Sequence, residues 1–201
     1  MNRRIFLRYL LVSGAFFVSS RVRALAAFGD FINPWRIRTV EGSTPEIDID
    51  KFSLSITGLT EERRKFAYSD LENLTDTSYR EDFNCVEGWS VPDLKWEGVS
   101  LNKIIEIVKP YKKAKYINFY CYGNKYTESI PVSEVKDRYI LALRVNGEKL
   151  EPKHGFPVRL FYPDRYGYKS AKWIKKIEFS DIKVPGFWTK RGYPYDGKIL
   201  G

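Results

Sequence analysis

Tyr116-Ile117-Asn118-Phe119-Tyr120-Cys121-Tyr122 sets Ile117, Phe119 and Cys121 on one side of an extended chain and Tyr116, Asn118 and Tyr120 on the other. A period of two marks a strand with one face in an apolar interior, and it gives Cys121 a buried address. The signature recurs outward from this stretch. Phe52-Ser53-Leu54-Ser55-Ile56-Thr57 alternates apolar and hydroxyl residues until Gly58 ends it. Downstream, Ile140 to Val145 and Glu148 to Leu150 flank Asn146-Gly147, a pair that tolerates positive φ at both central positions of a type I′ hairpin. Val158 to Tyr162 and Ile174 to Phe179 complete the strands. Helices are few. Ser69 stands where it could cap a short one from Asp70 to Leu74, and Ser100 a stronger one from Leu101 to Val108, closed by Pro110. The class is α+β, strand-rich with few short helices and long loops, in a single domain.

Composition narrows the function. The 201 residues are 43% hydrophobic and 29% charged, a globular profile. At this length folding buries roughly 70% of the unfolded surface, so no disulfide or structural metal is needed for cohesion. The formal charge of +9 invites a nucleic-acid or anionic-lipid module, but Arg3, Arg4, Arg8, Arg21 and Arg23 supply five of those charges before residue 27. The remainder, with 29 basic and 25 acidic residues, carries only +4, ordinary for a soluble surface. His154 is the sole histidine, which excludes multi-histidine zinc sites, bis-histidine haem and a C-x-x-C-H haem attachment. A hydrolase triad would have to use His154, and no Gly-x-Ser-x-Gly partner exists.

The N-terminus reads as an address. Met1 to Arg8 is basic, Tyr9 to Val18 is a short, mostly apolar run, and Ala24-Leu25-Ala26 offers a small-x-small cleavage pattern. Asn2-Arg3-Arg4-Ile5-Phe6-Leu7-Arg8 resembles a twin-arginine signal. Residues 1–26 are accordingly expected to be a signal peptide, with an uncleaved anchor as the alternative, and the domain to be periplasmic or otherwise extracytoplasmic. That route carries folded proteins, many with a cofactor already inserted. Residues 27–50, containing Pro34, Gly42 and Pro45, read as an extended arm over a domain spanning 51–201.

Four segments look like loops or strand ends. They are Asn84-Cys85-Val86-Glu87-Gly88-Trp89-Ser90, His154-Gly155-Phe156-Pro157-Val158-Arg159, Arg165-Tyr166-Gly167-Tyr168-Lys169-Ser170-Ala171-Lys172-Trp173 and Gly186-Phe187-Trp188-Thr189-Lys190-Arg191-Gly192-Tyr193. The second and third gather an imidazole, guanidinium and ammonium groups, a hydroxyl and glycines, a set that suits a phosphate- or pterin-like anion, or else a strand flanked by solvated lysines. Cys85 has two readings. It is either a thiol presented from a loop, a soft metal ligand, or one half of a disulfide with Cys121.

Cys-Val-Glu-Gly-Trp-Ser, His-Gly-Phe-Pro-Val-Arg, Tyr-Gly-Tyr-Lys-Ser-Ala-Lys-Trp-Ile and the terminal Trp-x-x-x-Gly-Tyr, in this order, resemble the molybdopterin domain of the sulfite oxidase family. The likeness runs from about Arg38 to Tyr193 and is strongest to small bacterial members related to the periplasmic methionine-sulfoxide reductase catalytic subunit. It implies a molybdenum-molybdopterin cofactor with Cys85 as the protein's thiolate ligand. His154, Arg159, Lys169, Ser170 and Lys172 would hold the pterin and its phosphate, while Tyr193 and Arg38 would reach the substrate. Glu87 and Ser90 depart from the family pattern, since sulfite oxidases carry further arginine there for a dianion, and a carboxylate repels one. Thr39 and Val40 also depart, and neither an immunoglobulin-like nor a haem domain is expected beyond the motifs. The expected function is two-electron oxygen-atom transfer, on a sulfoxide or similar S- or N-oxide, with Glu87 acting on protons or shaping the pocket. Electrons would pass to or from a separate partner such as a membrane cytochrome. Rival expectations are a non-catalytic exported binding domain, a sulfite-oxidising enzyme and the basic surface module.

Overall fold

The structure is a computed structural model that describes residues 35–199, so the signal expected at 1–26 lies outside the described residues. Among the described residues, ten strands form two five-stranded sheets. The first has the order β2-β1-β10-β5-β6, from β1 (Leu54–Gly58), β2 (Arg64–Phe66), β5 (Tyr116–Cys121), β6 (Thr127–Pro131) and β10 (Ile174–Ser180). Only β1 and β10 pair in parallel within it. The second runs β3-β4-β7-β8, from β3 (Thr77–Asn84), β4 (Ser90–Ser100), β7 (Ile140–Val145) and β8 (Glu148–Lys149), with β9 (Arg159–Phe161) on the other half of β7.

Both sheets contribute to one apolar core. Leu54, Ile56, Ile117, Phe119, Cys121, Ile177 and Phe179 of the first meet Val99, Leu141, Leu143 and Leu160 of the second, with helices α1 (Tyr68–Asn73) and α2 (Leu101–Val108) packed alongside through Leu71, Leu101, Ile104 and Val108. β5 buries the face that its alternation marks. Asn146 and Gly147 take φ of 53° and 83°, the positive values that a type I′ turn requires.

Ser100 caps α2 as expected. Its Oγ accepts from the Lys103 N–H at 3.0 Å and donates to Asp76 Oδ2 at 2.8 Å. Ser100→Ala removes both bonds and is expected to cost about 1–2 kcal/mol, read as a lower urea midpoint with an unchanged slope. Ser69 does not cap α1. The helix begins one residue earlier, at Tyr68, with Ala67 at its N-cap, and the Asp70 carboxylate reaches back to accept from the Ala67 N–H at 2.8 Å.

The β3–β4 hairpin, unread in the sequence, carries Cys85 at its turn. On β9, alternation sends Leu160 into the core and leaves Arg159 and Phe161 on the opposite face, where Phe161 stacks on Trp96 with centroids 3.9 Å apart.

Candidate active site

Cys85 opens the turn between β3 and β4. Its N–H donates to the Trp89 carbonyl at 2.9 Å, and its carbonyl accepts from the Gly88 N–H at 3.1 Å. Gly88 has φ of 83°, which the tight turn needs and glycine adopts without strain. The Cys85 side chain is half-buried and Cys121 is buried, and neither forms a disulfide, which rules out the Cys85–Cys121 bridge. The alternation of β5 explains this: Cys121 sits 1% exposed in the core beside Ile117 and Phe119, where burial pushes its thiol well up.

Arg38 and Glu87 meet. Arg38 Nε donates to both carboxylate oxygens at 2.8 and 2.9 Å, and Nη2 adds a contact of 2.6 Å to Oε2. Trp89 Nε1 donates to the same carboxylate at 3.1 Å. The hydrogen bond that Arg38 donates to Glu87, with smaller contributions from the Glu87 charge and from Cys85, raises the Arg38 guanidinium above its ordinary value. The arginine thus lies within electrostatic reach of the thiol.

Lys172 joins this arm to the His154 segment. Its Nζ donates to the Arg38 carbonyl at 2.8 Å and the Lys153 carbonyl at 2.9 Å. Gly155, at φ 117°, lets the two cations crowd together: a Cβ there would lie 2.9 Å from Arg159 Cβ and 3.2 Å from Lys172 Cγ. Arg159 is buried and donates to the carbonyls of His154 at 2.9 Å and Ser170 at 3.2 Å. Its guanidinium lies over the rings of Phe83 and Trp96, at 5.0 and 5.6 Å from their centroids. Because Phe83 is two residues before Cys85, this shelf connects the cation cluster to the thiol turn.

The charges in the cluster push against one another. Burial, then Arg159, Lys153 and Lys172, holds His154 neutral, down to about 3. Burial and Arg159 bring Lys172 down to about 7, and burial brings Arg159 down to about 9. A bound anion would relieve this repulsion.

The side chains of the other expected residues make contacts of their own. Ser170 turns inward, its Oγ accepting from the Tyr162 N–H at 3.1 Å. Lys169 Nζ faces Glu128 at 2.5 Å in a buried ion pair. Tyr193 packs edge-on to Tyr168 with centroids 5.3 Å apart and against Trp188 at 5.0 Å. Sequence reading missed the Phe83 and Trp96 shelf, Lys153 and Glu41. Glu41 fastens the arm by accepting from the N–H groups of Lys125 and Tyr126, each at 3.2 Å. Only Lys153 had a visible signal, its place beside His154.

Residues 41–188 match the family described as oxidoreductase molybdopterin binding domain. The chain is 33% identical over 151 residues to the uncharacterized oxidoreductase YuiH of Bacillus subtilis, covering 75% of this chain and 76% of that protein. It is 32% identical over 175 residues to the protein-methionine-sulfoxide reductase catalytic subunit MsrP of Burkholderia mallei, covering 78% of this chain and 47% of the relative. It thus spans about half the length of that relative. Among solved structures, the sulfane dehydrogenase SoxCD of Paracoccus pantotrophus shares the fold, with a TM-score of 0.65 at 22% identity over 75% of this chain and 46% of that one. Motif order, matched span and shared fold agree, and the chain belongs to the oxidoreductase molybdopterin-binding domain family, among the sulfite-oxidase-like molybdopterin oxidoreductases.

Proposed function

We propose that the protein is an exported molybdenum-molybdopterin enzyme that reduces a sulfoxide or a similar neutral S- or N-oxide. Residues 1–26 would act as its twin-arginine signal, residues 27–50 as an arm and residues 51–201 as the catalytic domain. The names of its relatives support the substrate class, and a separate redox partner would supply the electrons. Among the described residues no helix is long and apolar enough to cross a membrane.

The residues fit the cofactor. A half-buried thiol stands at a turn, and Arg159, Lys172 and the neutral imidazole of His154 crowd nearby in an arrangement that an anion relieves. Cys85 would ligate the metal as thiolate, and Arg159, Lys172 and His154 would grip the pterin side. When bound, the group supplies two-electron redox chemistry and an acceptor for the oxygen atom. A sulfoxide takes up two electrons and two protons and leaves as thioether and water. Tyr193 would donate a hydrogen bond to the substrate oxygen and orient it.

The observation that carries the choice of a neutral substrate is the Arg38–Glu87 pair. Glu87 occupies the guanidinium edge that a sulfite dianion would need, so the rim beside Cys85 presents a neutralised pair. The test is metal analysis of protein expressed with its N-terminal segment, followed by turnover of sulfoxides with an artificial electron donor and of sulfite with an acceptor. About one molybdenum per chain and sulfoxide turnover are expected, and Glu87→Gln should tighten inhibition by sulfite roughly tenfold, equivalent to about 1.4 kcal/mol. Absence of molybdenum, or sulfite oxidation faster than sulfoxide reduction, overturns the proposal.

A further inference from the structure

Among the described residues, the most buried ion pair lies outside the Cys85 cluster. Lys169 Nζ and Glu128 Oε1 are 2.5 Å apart, with side chains 2% and 1% exposed. The Ser129 N–H donates to the same carboxylate oxygen at 2.9 Å. Burial pushes the Glu128 carboxyl up and the Lys169 ammonium down, and the mutual attraction opposes both shifts.

The segment from Pro185 to Ile199 closes on this pair at both ends. A Cβ on Gly186 would lie 2.7 and 2.8 Å from the Glu128 carboxylate oxygens, and one on Gly197 would lie 2.5 Å from Lys169 Cγ. Thr127 fixes the first end, its Oγ1 donating to the Pro185 carbonyl at 3.0 Å and its carbonyl accepting from the Phe187 N–H at 3.1 Å. At the second end, the Gly197 carbonyl accepts from the Tyr166 N–H at 2.9 Å, and the Pro194 carbonyl accepts from Tyr168 Oη at 2.7 Å. The Tyr195 ring lies 4.6 Å from Lys169 Nζ. Between the ends, Trp188 and Tyr193 pack on each other, and the Tyr193 N–H donates to the Trp188 carbonyl at 3.2 Å.

We infer that Glu128 is a positioning residue: paired with Lys169 under Gly186, it forms the peg on which the 185–199 strap is folded, and so sets the place of Tyr193. Both groups are too deeply enclosed to touch a substrate, and losing one charge strands the other in the interior. The strap, which packs directly on the pair through Gly186 and Gly197, is the element that would shift in response. The catalytic consequence rests on the proposed role of Tyr193, whereas the peg itself does not.

The test uses the full chain in its loaded form. Lys190 and Arg191 are exposed at the tip of the strap, and Lys112 and Lys113 are exposed on the loop between α2 and β5. Limited trypsin digestion of Glu128→Gln well below its melting temperature is expected to speed cleavage after Lys190 and Arg191 at least tenfold, leaving cleavage after Lys112 and Lys113 within twofold of wild type. Glu128→Asp should restore most of the protection. Gly186→Ala reaches the same contact from the strap side with the ion pair intact, and it should reproduce the local nicking even if Glu128→Gln does not fold. Equal acceleration at both loops, or wild-type nicking at the strap in folded Glu128→Gln or Gly186→Ala, overturns the inference. In turnover, Glu128→Gln combined with Tyr193→Phe should lose no more kcat than Tyr193→Phe alone. Full activity of Tyr193→Phe beside a released strap would overturn the role of Tyr193 and leave the peg standing.

Discussion

Cys85→Ser is expected to reduce sulfoxide turnover at least 100-fold while the chain melts within a few degrees of wild type. The two halves of this result have separate causes. The turn is held by the backbone of Cys85, through bonds to Trp89 and Gly88 that serine makes equally well, and the side chain is only half-buried. A near-isosteric change there belongs with surface substitutions, within about 0.5 kcal/mol. The hydroxyl, by contrast, is a hard and scarcely ionised ligand at neutral pH, whereas a thiolate is soft and available. Removing outer partners of a metal site already costs about 10- to 100-fold, so loss of the direct ligand should exceed that range. Cys121→Ser provides the opposite control. It places a hydroxyl in the core at a site 1% exposed, costing about 1–3 kcal/mol with turnover per folded molecule unchanged. Full activity in Cys85→Ser would remove the thiolate from the mechanism.

Much of the fold was readable because its signals are local. The alternation of Tyr116–Cys121, the Ser100 cap and the Asn146-Gly147 turn each depend on residues a few positions apart, and all three stand in the structure. β3 escaped because it is an edge strand: Thr77–Asn84 keeps one neighbour, β4, and carries Arg80, Glu81 and Asp82, so no apolar face reveals its period. The α1 start was misread because Ala67, whose side chain cannot cap, stands at the N-cap, and the polar signal at the helix start comes from Asp70 reaching back to the Ala67 N–H.

The site divides in the same way. Motif composition singled out Cys85, His154, Arg159 and Lys172, and the family resemblance added Arg38 and Glu87; the structure gathers them around the β3–β4 turn and the His154 segment. What composition could not show is pairing across the chain. Arg38 and Glu87 are 49 positions apart, and Lys169 and Glu128 are 41 apart, so nothing local announces either contact. In the second case the pairing encloses the ammonium group, since the Lys169 and Glu128 side chains are only 2% and 1% exposed.

Arg159→Leu should yield a folded chain that retains less than a tenth of the wild-type molybdenum, with Arg159→Lys recovering little of it. The guanidinium serves two carbonyls, those of His154 and Ser170, while lying over Phe83 and Trp96, a geometry that needs a planar fork and that lysine lacks. Each carbonyl left without its donor costs about 1–3 kcal/mol, but leucine avoids the desolvation that holds Arg159 down to about 9. The net loss of stability is therefore expected to be a few kcal/mol, short of unfolding. A second readout is independent of cofactor and turnover. His154 is the only histidine, so its imidazole resonances report one site. In wild-type protein without cofactor it should stay neutral down to about pH 3, where burial is the larger cause and Arg159 the next. Because the unfolded chain binds that proton near pH 6.5 and the folded chain does not, stability falls as pH drops between these values, by about 1.4 kcal/mol per unit. Arg159→Leu removes one repelling charge, so the imidazole should titrate at higher pH while staying below 6.5 and the acid-side loss of stability should flatten. An unchanged titration would show that Arg159 does not act on the imidazole, and the cationic grip on the pterin side would lose its centre.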